Sequence, residues 1–152
     1  MLPTPRKFIV VAGSSEGKTL LNAFDNALLV AGIGNVNLLR ISSILPPEAQ
    51  HDPGLTLPPG SLVPTAYGYA ISENKGEKIC AAVGIGFTKD AFGVIMEYAG
   101  KGDKAHAEQM IRTMLENAFE TRNLPLVDVA INATEHTVEN IGCAFAAVPL
   151  WY

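Results

Sequence analysis

Residues 66–99, AYGYAISENKGEKICAAVGIGFTKDAFGVIMEYA, carry three strand-like runs in succession: Ala66 to Ser72, Lys78 to Phe87 and Gly93 to Ala99. Each is rich in aromatic, β-branched and small apolar residues, and turn signals bound each one. The polar stretch Glu73-Asn74-Lys75-Gly76-Glu77 joins the first two, so the pattern predicts an antiparallel meander. Downstream, Ala107, Met110, Ile111, Met114, Leu115 and Ala118 recur on one face of a predicted helix, about Lys104 to Arg122, with charges opposite. Two more strands are expected over Leu126 to Asn132 and Ile141 to Val148. Upstream, the β-branched run Lys7 to Ala12 ends at Gly13, and Ser14-Ser15-Glu16 supply N-capping groups for a helix. In that helix Leu20, Phe24, Ala27, Leu28 and Ala31 lie at helical spacing, and Gly32 stands where a left-handed cap belongs. Val36 to Ile41 reads as another strand. Between Pro46 and Pro64 lie six prolines, which indicates an ordered surface excursion or a linker. Strands and helices do not alternate, so an α+β fold is expected in place of a doubly wound sheet.

The chain has 152 residues, the size of one domain. Its 48% hydrophobic content rules out intrinsic disorder, because there is ample apolar surface to offset the entropy of ordering. Charged residues make up only 17%, against a usual roughly 25%, which suits a compact, oligomeric protein. No apolar stretch approaches the about 20 residues a spanning helix needs, so a soluble protein without a membrane partner is expected. The net charge of -4 and the lack of a Lys/Arg cluster argue against nucleic acid. Cys80 and Cys143 are isolated in apolar segments and follow no signal peptide, so they read as reduced core residues of a cytoplasmic protein. The sequence leaves a disulfide between them open. His51, His106 and His136 have no metal-ligand spacing, and no metal is expected.

Two motifs carry candidate chemistry. Ala12-Gly13-Ser14-Ser15-Glu16-Gly17-Lys18-Thr19 approximates a phosphate loop between strand and helix, with Leu124 to Asp128 as a possible Mg²⁺-binding strand. Against a nucleotide, the leading glycine is replaced by Ala12, and Glu16 puts a carboxylate where a polyphosphate would sit. The plain alternative is a capped helix start. The second motif is Ser42-Ser43 at the end of an apolar strand. A serine hydroxyl in a strained turn can attack the preceding carbonyl, and β-elimination from the resulting ester breaks the chain. Asn37 is the nearest upstream side chain able to donate to the developing oxyanion. Paired serines at strand ends are otherwise turn formers.

The ordered set Gly13-Ser14-Ser15-Glu16-Gly17, Asn22-Ala23-Phe24-Asp25, Ala31-Gly32-Ile33-Gly34-Asn35-Val36-Asn37-Leu38 and Arg40-Ile41-Ser42-Ser43-Ile44 with Pro46-Pro47-Glu48-Ala49 resembles the pyruvoyl-dependent arginine decarboxylases. Val63 to Tyr69, Gly93 to Tyr98, Glu135 to Glu139 and Gly142 to Ala147 continue the similarity over nearly the whole chain. The resemblance claims Gly13 to Gly17 as a family segment.

It implies a four-layer αββα sandwich with two central, mainly antiparallel sheets. It further implies a single domain, 1–152, self-cleaved into 1–42 and 43–152, with the pieces assembled as a homotrimer whose sites lie between subunits. Ser43 would become the covalent pyruvoyl cofactor and Ser42 the new C-terminus, with Asn37 assisting the processing. L-arginine would form a Schiff base with that group, and Glu97 would act as the acid in its conversion to agmatine and CO₂. Apolar neighbours of Glu97 would favour its protonated form, while a solvated strand-end glutamate is the bland reading. Asp25 would accept the guanidinium, where an ordinary surface aspartate is the alternative. By resemblance Leu21, Gly34, Val36 and Ile44 line the same pocket. A phosphate-loop nucleotide-binding protein and an inert, unprocessed homologue are the competing classes.

Overall fold

The computed structural model describes residues 2–152. The chain forms β1 (Lys7–Phe8), β2 (Val11–Glu16), α1 (Leu20–Val30), β3 (Asn37–Arg40), β4 (Ile44–Leu45) and β5 (Gln50–His51), then β6 (Leu62–Ser72), β7 (Lys78–Phe87), β8 (Gly93–Lys101), α2 (Lys104–Arg122), β9 (Asp128–Thr137) and β10 (Gly142–Trp151). One sheet runs β3-β6-β10-β1-β5, with β2 also paired to β10, and the other runs β4-β8-β7-β9. The second sheet is wholly antiparallel, whereas the first contains two parallel pairs, β3 with β6 and β1 with β5.

Packing follows from which strands have no polar face. β7 and β10 are buried along almost their whole length, as strands covered on both sides must be. Ile79, Ala81, Val83 and Ile85 of β7 meet Ala144, Ala146 and Val148 of β10 between the sheets. The alternate residues Cys143, Phe145 and Ala147 pack under α1, and Cys80 and Ala82 pack under α2. The arrangement is α+β, two sheets with a helix on each outer side, and is compatible with the expected sandwich. Phe119 and Phe145 are fully buried, and truncating either to alanine would cost on the order of 3–5 kcal/mol. The two cysteines are free and lie on opposite sides of the paired sheets, so the disulfide left open by the sequence is not formed.

The helix over Lys104–Arg122 has the expected bounds, with Asp103 capping its start and Asn123 in the left-handed conformation at its end. Gly32 has φ +87, as its place after α1 requires. The last two strands run further than the sequence pattern suggests, to Thr137 and Trp151. No helix among the described residues is long and apolar enough to cross a membrane.

Three expectations are revised in whole or in part. The run from Lys7 to Ala12 is not one strand: it is interrupted at Ile9 and Val10, although the register to β10 on either side is continuous. Pro149 stands opposite the break and has no N–H to give, so only the Ile9 amide bonds there, to the Pro149 carbonyl at 3.2 Å. Gly13 does not end the strand, which continues to Glu16, and the helix cap is Thr19, whose hydroxyl accepts the Asn22 amide at 3.1 Å. The meander holds only in its second half: β7 and β8 pair antiparallel as expected, but β6 lies in the other sheet, paired with β10 and β3. The Glu73–Glu77 turn therefore carries the chain from one sheet to the other. Of the two readings of the proline-rich stretch, the ordered excursion is the one found: it adds β5 beside β1 and is pinned by the Gly60 amide on the Asn35 carbonyl, 2.8 Å.

Candidate active site

Three residues, Ile41-Ser42-Ser43, span the gap between the end of β3 in one sheet and the start of β4 in the other. Both ends of this crossover are held. The Ile41 amide donates to the Thr65 carbonyl of β6 at 3.1 Å, and the Ser43 carbonyl accepts the Ile95 amide of β8 at 2.7 Å. Between these anchors the Ser42 carbonyl and Ser43 amide have no backbone partner among the described residues. Ser42 is exposed and Ser43 half-buried. The carbonyl that the Ser43 hydroxyl would attack is thus outside any ladder. Along β4 the side chains alternate, with Ile44 outward and Leu45 buried between the sheets.

Glu97 stands on β8 opposite Val83, on the face turned toward the other sheet. Because Ser43 bonds to Ile95, Glu97 lies two residues along from Ser43's partner, a diagonal position that a long side chain reaches. Its stem lies over Gly68 of β6, where an added Cβ would meet Glu97 Cβ at 3.3 Å and Cγ at 3.4 Å. A side chain at 68 would crowd the space the carboxylate uses. Burial pushes the Glu97 carboxyl above the usual carboxylate range, and the Arg40 cation opposes that rise. The net direction favours the protonated form that a general acid needs.

Beside α1 is an open cleft of about 470 Å³. It brings together Leu21, Asp25, Gly34, Val36 and Asn37, five of the residues expected to act together, and adds Asn22, Phe24, Leu28, Leu38 and Tyr67. Asp25 is exposed one helical turn beyond Leu21. Phe24 packs edge-on against Tyr69 at 4.8 Å and makes a firm aromatic wall. Gly34 has no room for a side chain, since a Cβ would stand 2.5 Å from Leu29 Cδ2.

Ser43, Ile44 and Glu97 do not line this cleft. Asn37 donates through Nδ2 to the Gly60 carbonyl at 3.1 Å. Three strand steps, about 10 Å, separate it even from Arg40, beyond the reach of its side chain toward the serines of the same chain. Tyr67 turns its ring toward α1, while its neighbour Gly68 faces Glu97, so the cleft and the crossover occupy opposite faces of one sheet. Arg40 joins them at the sheet edge, with its guanidinium 4.3 Å from the Tyr67 ring centroid and an Nη2 bond to the Tyr67 carbonyl. Sequence reasoning passed over Arg40, Tyr67 and Gly68. A cation two residues before paired serines, at the end of an apolar strand, was the available signal.

The segment read as a near phosphate loop has no such geometry. It is largely strand β2, and a Cβ on Gly13 or Gly17 would stand 2.7 Å from the Ala27 carbonyl oxygen or 2.2 Å from the Ala23 nitrogen. These glycines let α1 lie close on the sheet. Glu16 fills the supposed anion site with its own carboxylate, which bonds His136 Nε2 at 2.5 Å and the Asn140 amide at 2.6 Å. Burial would raise the Glu16 carboxyl, but these bonds outweigh it and hold the group below its usual range. No group of three potential metal ligands occurs among the described residues.

The sequence profile of the pyruvoyl-dependent arginine decarboxylase family matches residues 7–152. Proteins of that name resemble the chain closely. That of Methanocaldococcus jannaschii is 57% identical over 150 residues, covering 97% of this chain and 91% of its own. That of Methanococcus maripaludis strain C6 is 51% identical, covering 97% and 92%. That of Pyrococcus abyssi is 41% identical over 152 residues, covering 98% and 96%.

Proposed function

The chain belongs to the pyruvoyl-dependent arginine decarboxylase family, and from that premise we propose that it is a self-processing carboxy-lyase that cleaves itself between Ser42 and Ser43. It converts L-arginine to agmatine and CO₂ with a pyruvoyl group made from Ser43, within the cytoplasm. One observation supports this above all: the Ser42–Ser43 peptide is the crossover between the sheets, anchored on both sides and free in the middle, with Glu97 diagonal to it.

The residues fit that group. The Ser43 hydroxyl attacks the Ser42 carbonyl, and the amide becomes an ester. Elimination across Cα–Cβ of Ser43 then releases the Ser42 carboxylate, and hydrolysis of the dehydroalanine releases ammonia. The new group forms on a chain still fixed to β8 by the Ser43 carbonyl. When formed, it supplies an electron sink for the pair released as CO₂ leaves. Glu97, whose burial favours its protonated form, returns a proton to the substrate α-carbon. Asp25 accepts the guanidinium as a charge-assisted pair, and Leu21, Val36 and the small Gly34 shape the channel for the aliphatic stem.

Because cleft and crossover lie on opposite faces of one sheet, we infer that the complete site joins the cleft of one subunit to the crossover of its neighbour in a homotrimer of four-layer αββα sandwiches. Ile44, 42% exposed beside the crossover, and Leu21, 74% exposed at the cleft, are the apolar surfaces such a joint would cover. Asn37 then meets the crossover of the neighbouring subunit.

Intact-mass spectrometry under denaturing conditions tests the reading. Fragments 1–42 and 43–152, the second with a borohydride-reducible end, are expected. Ser43→Ala should remain one chain and lose all decarboxylation, and full turnover by that variant would overturn the mechanism.

A further inference from the structure

Arg40 is the last residue of β3, and beyond it the edge of β6 has no strand beside it among the described residues. The Tyr67 carbonyl on that edge would lack a partner, and the Arg40 guanidinium supplies one while lying across the Tyr67 ring. Two separate attachments therefore fix a charge on a long side chain that would otherwise sample many rotamers. The carbonyl it holds belongs to the Tyr67–Gly68 peptide, and Glu97 stands on Gly68. The partner of Glu97 on β7 is Val83, Gly68 of β6 lies against its stem and Ser43 of the crossover stands diagonal to it, none of them charged, and Arg40 is the charge that acts on it.

We propose that Arg40 is a positioning residue for the decarboxylation, clamped on Tyr67 so that a fixed positive charge stands at the edge of the Glu97 site. This rests on the reading of Glu97 as the acid. A carboxyl buried with no cation nearby would hold its proton too firmly to deliver it efficiently, and a cation at this range counters part of that effect. The clamp also determines where the chain leaves the sheet, two residues before the peptide that breaks.

The experiment is a ¹³C titration of the Glu97 carboxyl in uncleaved Ser43→Ala protein, assigned by its loss in Glu97→Gln. It is paired with the pH dependence of kcat and KM in cleaved protein. Removing the cation in Arg40→Gln favours the protonated form, so the titration midpoint should rise by about half to one pH unit. The alkaline limb of kcat should move the same way with KM for arginine little changed, and Arg40→Lys should restore most of the limb. A purely structural role would lower stability or processing without moving the midpoint. Should Arg40→Gln fail to cleave, the titration alone decides. An unmoved midpoint in a chain whose unaltered form decarboxylates arginine overturns the role of Arg40. Absence of turnover in the unaltered, cleaved chain would instead overturn the reading of the reaction.

Discussion

The cleft beside α1 and the crossover between β3 and β4 are built from opposite materials. The cleft is wide, exposed and carboxylate-bearing, with Asp25 in solvent and aromatic rings along one side. The crossover is a short, serine-bearing link tied at both ends, beside a carboxyl that burial drives toward its neutral form. A permanent cation is best held by the first and a proton best delivered by the second. On the proposed reading, substrate recognition and chemistry sit in different dielectric surroundings on two faces of one sheet.

The sharpest way to break that division is Glu97→Gln, which leaves self-cleavage intact and should lower kcat by about 10²- to 10⁴-fold, read on cleaved protein. Normal turnover would remove the proton-delivery role from the crossover. A complementation assay tests whether the two regions meet across subunits. Asp25→Asn and Glu97→Gln chains, each nearly inactive at low arginine, should regain about a quarter of wild-type sites when co-expressed, the random-mixing value for a cyclic assembly. No recovery in mixed assemblies would place both regions within one protomer's site. Asp25→Asn alone should raise KM for arginine by about 10- to 100-fold while kcat changes far less, because it removes a charge pair to a non-reacting part of the substrate. The smallest effect is expected from Gly68→Ala, whose methyl must displace the Glu97 stem by a few tenths of an ångström. A few-fold fall in kcat without change in KM would mark the crossover side alone.

Much of this was legible from local pattern. The heptad-like face of α2 and its capping Asp103 need only neighbours in sequence, and the expected bounds coincide with the observed helix. The cleft residues were named through the family resemblance, and Leu21, Asp25, Gly34 and Val36 do come together in one cleft, whereas Ile44 lies outside it. The errors have a common origin in pairing at long range. Pro149 lies far from Ile9 and Val10 in sequence, yet it removes the donor that would have continued their strand. Gly13 and Gly17 read as a loop because glycine signals both turns and close packing, and only the position of α1 decides between them.

The sequence by itself determined the α+β class, the two helices, the single-domain size, the serine pair and the family, because these depend on composition, periodicity and ordered motifs. Tertiary structure alone decided which strands share a sheet, that Ser42–Ser43 bridges the two sheets, that Arg40 reaches Tyr67 and that Gly68 lies under Glu97. Those facts depend on hydrogen bonds and packing between segments tens of residues apart, and nothing in a local window of sequence encodes which partner a strand edge will find.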